Sequence, residues 1–231
     1  MATQKLSFFK FNPLKPVNLI EYAGKLQKTS NDKEKFVIND CTDFWLDGYY
    51  VIEYVKNESR YNFLETKIEI IPVTVTSIAK FCIDLKNNLM DIWGNKNIAL
   101  KLITALSISM HNEVTIESIS TDIKEAISLA LLESNASVIK VKIEDIIIDN
   151  GIVANCSVNL SGQEDYKELL KKYIKNITQA TLSVYDEEPE NRISFTIYSS
   201  GSVVVYKDKD EIEDNAFEII KKICFPNGRV K

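Results

Sequence analysis

Histidine occurs once in the chain, at His111, and neither a Gly-rich phosphate loop, a dinucleotide fingerprint nor a zinc-ligand spacing is present. These absences argue against a nucleotide-driven enzyme, and a Ser-His-Asp or Cys-His device would have to use His111 without a nucleophile elbow or flanking motif. A solvated or capping role suits that residue better. Seven glycines and five prolines are too few for a low-complexity linker, which excludes extended disorder. The four cysteines, Cys41, Cys82, Cys156 and Cys224, lie far apart with no CxxC pair and read as free buried thiols, not metal ligands or disulfides. No apolar run approaches the roughly 20 residues a membrane helix needs, and the opening MATQK leads into no signal-peptide core. The expectation is a cytoplasmic protein with no membrane partner and no cofactor. A formal net charge of −5 argues against a general polyanion binder, because nonspecific nucleic-acid affinity rests on neutralising phosphates.

What is present is apolar content, 45% of 231 residues, enough to bury one large core or two small packed ones. The most legible stretch runs from Thr181 to Cys224 and reads as strand, hairpin and helix. Ile193–Tyr198 and Val203–Tyr206 are β-branched or aromatic runs, and Ser200-Gly201 between them suits a two-residue turn. That turn opposes Tyr198 to Val203, Ile197 to Val204 and Thr196 to Val205. One face then carries Phe195, Ile197, Val204 and Tyr206, and the other Thr196, Tyr198, Val203 and Val205. Asp208 and Asp210 offer cap oxygens for a helix whose apolar stripe is Ile212, Ala216, Ile219, Ile220 and Ile223.

Upstream, a strand over Leu6–Phe11 is followed by a helix over Val17–Leu26 with Pro16 at its first position. Strands are expected at Lys35–Ile38, at Phe44–Leu46 and Tyr49–Val55 around an Asp47-Gly48 turn, and at Phe63–Ile71, ended or edged by Pro72. Strand character continues over Val73–Leu85, Asn87-Asn88 turns the chain into Leu89–Trp93, and Ile98–Leu106 is a helix. The turn at Asn87-Asn88 would oppose Asp84 to Asp91, like charges in need of solvent, a cation or a basic partner. The pattern restarts with a strand at Val114–Ser118, a helix at Asp122–Leu132 and a hairpin of Val138–Ile148 with Ile152–Leu160 around Asn150-Gly151. An amphipathic helix over Glu164–Ile177 follows, its polar face made basic by Lys167, Lys171, Lys172 and Lys175. The fold class expected is therefore α+β in two tandem halves, residues 1–112 and 113–231. Each half reads strand, helix, antiparallel strands, helix, with an extra hairpin and helix in the second.

Glu187-Glu188-Pro189, then Ile197-Tyr198-Ser199-Ser200-Gly201, then Val203–Val205 and the helix to Ile223 resemble the closing part of a TATA-box-binding-protein repeat. The resemblance is specific over about Ala180–Ile223. It implies a duplicated saddle whose open sheet face grips the DNA minor groove through aromatic wedges. Tyr198 would be one wedge, with Thr196, Val203 and Val205 on its face. The upstream wedge position falls near Thr181, which is not aromatic.

One further pattern carries chemistry: Glu65-Thr66-Lys67, downstream of Asp47, has the E-x-K form of metal-dependent nucleases. That form is short enough to arise by chance in a Glu- and Lys-rich chain. With no acid-base or nucleophilic set assembled, the chain reads as a non-catalytic binding module acting in a protein assembly, with itself or a partner protein. Nucleic acid is a further partner the sequence leaves open. The alternatives are a duplex-DNA binder using the face of Thr196, Tyr198, Val203 and Val205, aided by the lysine face, and a metal-dependent nuclease. The acidic balance weighs against DNA; the lysines and the IYSSG match weigh for it.

Overall fold

The structure, a computed structural model, describes residues 3–149, 151–163, 166–185 and 191–225. In chain order it runs β1 (Gln4–Pro13), α1 (Leu19–Thr29), β2 (Glu34–Cys41), β3 (Trp45–Asn62), β4 (Lys67–Asp84), β5 (Leu89–Trp93) and α2 (Lys96–Ser109). There follow β6 (Val114–Ile119), α3 (Ile123–Ala130), β7 (Ala136–Asp149), β8 (Ile152–Asn159), α4 (Tyr166–Tyr173), β9 (Ile177–Val184), β10 (Ile193–Tyr198), β11 (Val203–Val205) and α5 (Asp214–Cys224). Strand takes 48% and helix 26%. The described strands form one 11-stranded sheet of order β2-β3-β4-β5-β1-β11-β10-β9-β7-β8, with β6 beside β1. This overturns the expectation of two tandem strand-helix-strands-helix halves like a duplicated TATA-binding-protein fold: the molecule is mostly one large antiparallel sheet. Two strands expected to be short explain much of the difference. Asp47-Gly48 does not turn, and Pro72 does not terminate, so β3 and β4 each run 18 residues. Gly48 stays in the ladder because a Cβ there would lie 2.5 Å from the Val37 carbonyl oxygen. The adjoining β2–β3 register shifts between Ile38 and Asp40, and a bulge brings backbones this close.

The chain divides into two compact units, residues 11–116 and residues 1–10 with 117–231. In the first, alternation along β3 turns Leu46, Gly48, Tyr50 and Ile52 to one face, opposite Ile83, Phe81, Ala79 and Ser77 of β4. Phe36 of β2 joins them, its ring 5.0 Å from Tyr50 and edge-on to Phe81 at 6.2 Å. The helices supply Leu19, Tyr22, Leu26, Ile98, Leu102 and Leu106, all buried. α1 begins two residues later than the apolar period suggests, because the Asn18 side chain accepts the Glu21 N–H at 3.0 Å and so caps the helix there. Asn95 does the same for α2 by accepting the N–H groups of Asn97 and Ile98.

In the second unit β9 lies between β10 and β7. Leu182, Val184, Phe195, Ile197, Val203 and Val205 are buried on its core face with residues of α3 and α5. Asp122 caps α3 through the N–H groups of Lys124 and Glu125. α5 departs from expectation at its start. A 3-10 turn over Lys209–Glu211 precedes it, Glu213 is its N-cap, and neither this cap nor Asp208 makes a side-chain cap bond. α4 ends at Tyr173, not Ile177, because Asn176 donates its N–H to the Tyr173 carbonyl at 2.8 Å and its amide to the Glu144 carbonyl at 3.1 Å. Ile177 thereby enters β9 and is buried. Glu164, where that helix was expected to begin, and Asn150 of the β7–β8 turn lie outside the described residues.

Candidate functional site

β2 pairs with β3 no further out than Ile52, and β5 pairs with β4 no further out than Lys80. Beyond them β3 and β4 continue as a two-stranded ladder for ten cross-strand pairs, from Glu53↔Thr76, where the Glu53 N–H still donates to the Lys33 carbonyl at 2.8 Å, to Asn62↔Lys67. At ~3.3 Å per residue this two-stranded arm is about 33 Å long. Opposed residues share a face, so Val55, Asn57, Ser59 and Tyr61 lie with Thr74, Pro72, Ile70 and Ile68. All eight are exposed and none is charged. This face holds one charge, the exposed Glu53 opposite Thr76 at the arm's root, whereas the opposite face carries Lys56, Glu58, Arg60, Lys67 and Glu69. There Arg60 approaches Glu58 at 3.6 Å, and Lys67 lies 3.5 Å from Glu69 and also pairs with Glu65.

The tip is held in shape. The Asn62 side-chain oxygen accepts the N–H groups of Leu64 at 3.0 Å and Glu65 at 3.2 Å, and Thr66 takes a left-handed φ of 51°. Phe63 stacks edge-on to Tyr61 at 5.0 Å. Phe63 is nevertheless 85% exposed and Leu64 96%. Isolated two-stranded ladders are marginal in water, and apolar side chains displayed together on one mark an interaction surface.

At the base of the arm a groove of about 440 Å³ opens between β3 and α2, lined by Tyr50, Ile52, Leu100, Thr104, Ala105 and Ile108. Glu34 and Lys101 stand at it with opposite charges. Tyr50 donates its hydroxyl to Glu34 at 2.5 Å, and burial together with that carboxylate holds its phenol well above the usual tyrosine range. The Lys101 ammonium lies 5.0 Å over the Tyr54 ring. Leu100 and Ile108, which line the groove from α2, are 51% and 64% exposed.

The residues singled out in the sequence are placed differently. β10 and β11 pair Ile197 with Val203, Thr196 with Val204 and Phe195 with Val205, one residue from the expected register. The connection is longer than two residues: the Tyr198 N–H donates to Ser202 and the Gly201 N–H to Tyr198, with Gly201 at φ 77°. A one-residue slip exchanges faces. Val203 and Val205 therefore point into the core with Phe195 and Ile197, whereas Thr196 and Tyr198 lie on the other face. The four do not form one open surface. Thr196 is itself buried, its hydroxyl 2.9 Å from that of Thr181 and 3.0 Å from that of Tyr206. Glu187, Glu188 and Pro189 lie outside the described residues.

Lys167, Lys171 and Lys172 are exposed on α4, and Lys175 is exposed in the turn beyond it. His111 is exposed just past the end of α2. β4 and β5 pair Asp84 with Leu89 and Cys82 with Asp91, so the expected Asp84–Asp91 opposition does not occur. Asp84 caps the turn through the N–H groups of Lys86 and Asn87, and Asp91, buried, accepts from the Trp93 indole at 3.0 Å. Glu65 and Lys67 flank the arm tip, whereas Asp47 lies about 50 Å of ladder away. Among the described residues no three His, Cys, Asp or Glu side chains are grouped to hold a metal ion. No disulfide joins the four cysteines; Cys82 and Cys224 are buried, Cys41 and Cys156 partly so. Among the described residues no helix is long and apolar enough to cross a membrane.

The arm is hidden by the strand expected at Phe63–Ile71 and ended or edged by Pro72, because Phe63 lies at the tip and Pro72 within β4. Its signal is the near-mirror pair of runs, YVKNESRYN and KIEIIPVTV, about a four-residue centre of Phe63–Thr66. No protein-family model matches this chain, and no curated protein matches it.

Proposed function

We propose that the protein is a non-catalytic binding module that acts in a protein assembly and engages a protein, a second copy or another chain, through the β3–β4 arm. The observation that carries this reading is the ordered tip with Phe63 and Leu64 in solvent, at the end of an exposed arm face that carries no charge from Val55 outward. A stretch of apolar surface held this far from the core contributes little to folding and is favourable once a partner covers it. Pro72 supports contact through the face over edge-to-edge strand addition, since it removes a backbone donor from the outer edge of β4.

The test is an arm-shortened chain. Pro72 has no N–H to give its partner strand, so Asn57↔Pro72 is the non-hydrogen-bonded kind of pair and Lys56↔Val73 the kind a two-residue turn closes. Replacing Asn57–Pro72 by Asn-Gly therefore removes the outer arm at a closable position. The full chain is expected to associate with itself, or to retain a protein from extracts of its host, and the shortened chain to do neither while keeping its melting temperature. Association that survives the shortening would sink this reading. So would salt-sensitive binding of duplex DNA that the shortened chain keeps and Lys171→Glu weakens.

A further inference from the structure

Resting on that reading, we propose that the arm's occupant is a second copy of this chain, with Phe63 and Leu64 of one copy seated in the β3–α2 groove of another. Both halves of the contact are present in one chain. The tip offers an aromatic and a branched aliphatic side chain, fixed by the Asn62 bonds and almost wholly exposed. The groove offers about 440 Å³ walled by Ile52, Leu100, Ala105 and Ile108, a volume within the ~300–1,000 Å³ of ligand-sized pockets.

A chain cannot fill its own groove. Ile52 lies at the root of the arm and Phe63 beyond its far end, about 33 Å away along a paired ladder that does not fold back on itself. Only another copy can bring its tip there. Charge favours the same pairing: at the tip Lys67 is shared between Glu65 and Glu69, which leaves the tip acidic, whereas at the groove Glu34 accepts the Tyr50 hydroxyl and Lys101 supplies a base. Complementary charges at the contact offset the repulsion between two chains of net charge −5. A knob and a hole on different parts of one molecule make a contact that is not its own mirror. Such contacts either close reciprocally or propagate into rings and filaments.

Two variants and their mixture decide it, by sedimentation velocity and light scattering over a concentration series. The tip variant is Phe63→Ser with Leu64→Ser; the groove variant is Leu100→Lys with Ile108→Lys. All four positions are exposed, so both variants are expected to melt with the full chain. The full chain is expected to rise above its monomer mass of 26.3 kDa with concentration, and each variant alone to remain a monomer. An equimolar mixture of the two variants is expected to give a one-to-one dimer, because the tip variant keeps an intact groove and the groove variant an intact tip. Should the groove variant associate as the full chain does, or the mixture stay monomeric, tip-in-groove contact is wrong while a role for the arm can still stand. Were the full chain monomeric throughout, the second copy would be excluded. The wider reading would then be judged separately, by whether shortening the arm releases a partner protein.

Discussion

Tyr22 shows how much one side chain can carry. It is buried on the inner face of α1 and donates its hydroxyl to the Leu106 carbonyl of α2 at 3.0 Å, tying the two helices of its unit together. Burial holds its phenol well above the usual tyrosine range, and Tyr50 is raised for the same reason and by Glu34. The folded state therefore keeps protons that the unfolded state gives up once pH passes about 10, so unfolding releases protons and stability falls as pH rises further. Tyr22→Phe is expected to cost about 1 kcal/mol near neutral pH through the lost hydrogen bond. It is also expected to lose less stability than the parent between about pH 8 and about pH 11. Denaturant melts at the two pH values check this; equal alkaline losses would show that Tyr22 does not titrate with unfolding.

Between elements, the same substitution chemistry should give opposite results in the core and on the arm. Phe81, fully buried against Phe36, is expected to cost about 3–5 kcal/mol as Phe81→Ala. Ile70, 70% exposed in the arm, should change stability by no more than about 0.5 kcal/mol as Ile70→Ser. Thermal melts of dilute protein compare them, and a large loss at Ile70 would mean the arm is packed within its own chain. The same contrast explains what could be read from the sequence. Apolar alternation located most strands and Asp122 the start of α3, since those signals are local. Register was not local. Ser200-Gly201 and Asn87-Asn88 each suggested a two-residue turn, yet both connections are longer. Gly201 sits in the first, 2.9 Å from Ser120 Cα for any added Cβ, and Asp84 caps the second. That displacement puts Val203 and Val205 in the core, on the face opposite Thr196 and Tyr198. The arm escaped for the reverse reason: where no neighbour covers a ladder, both faces alternate apolar and polar residues alike, and the pattern does not say how far the hairpin extends.

In residues 11–116 the sheet buries its apolar face under α1 and α2 and runs on into a two-stranded extension. The account stands on that extension being a contact surface. Amide hydrogen exchange on the unmodified chain, read at low and at high protein concentration, tests it most directly. The amides of Tyr54–Val75 and of Leu100–Ile108 are expected to slow as concentration rises, while those of β9 and β10 stay constant. Exchange in the arm and along α2 that is independent of concentration, with protection rising at Lys167–Lys175 or elsewhere instead, would contradict the account.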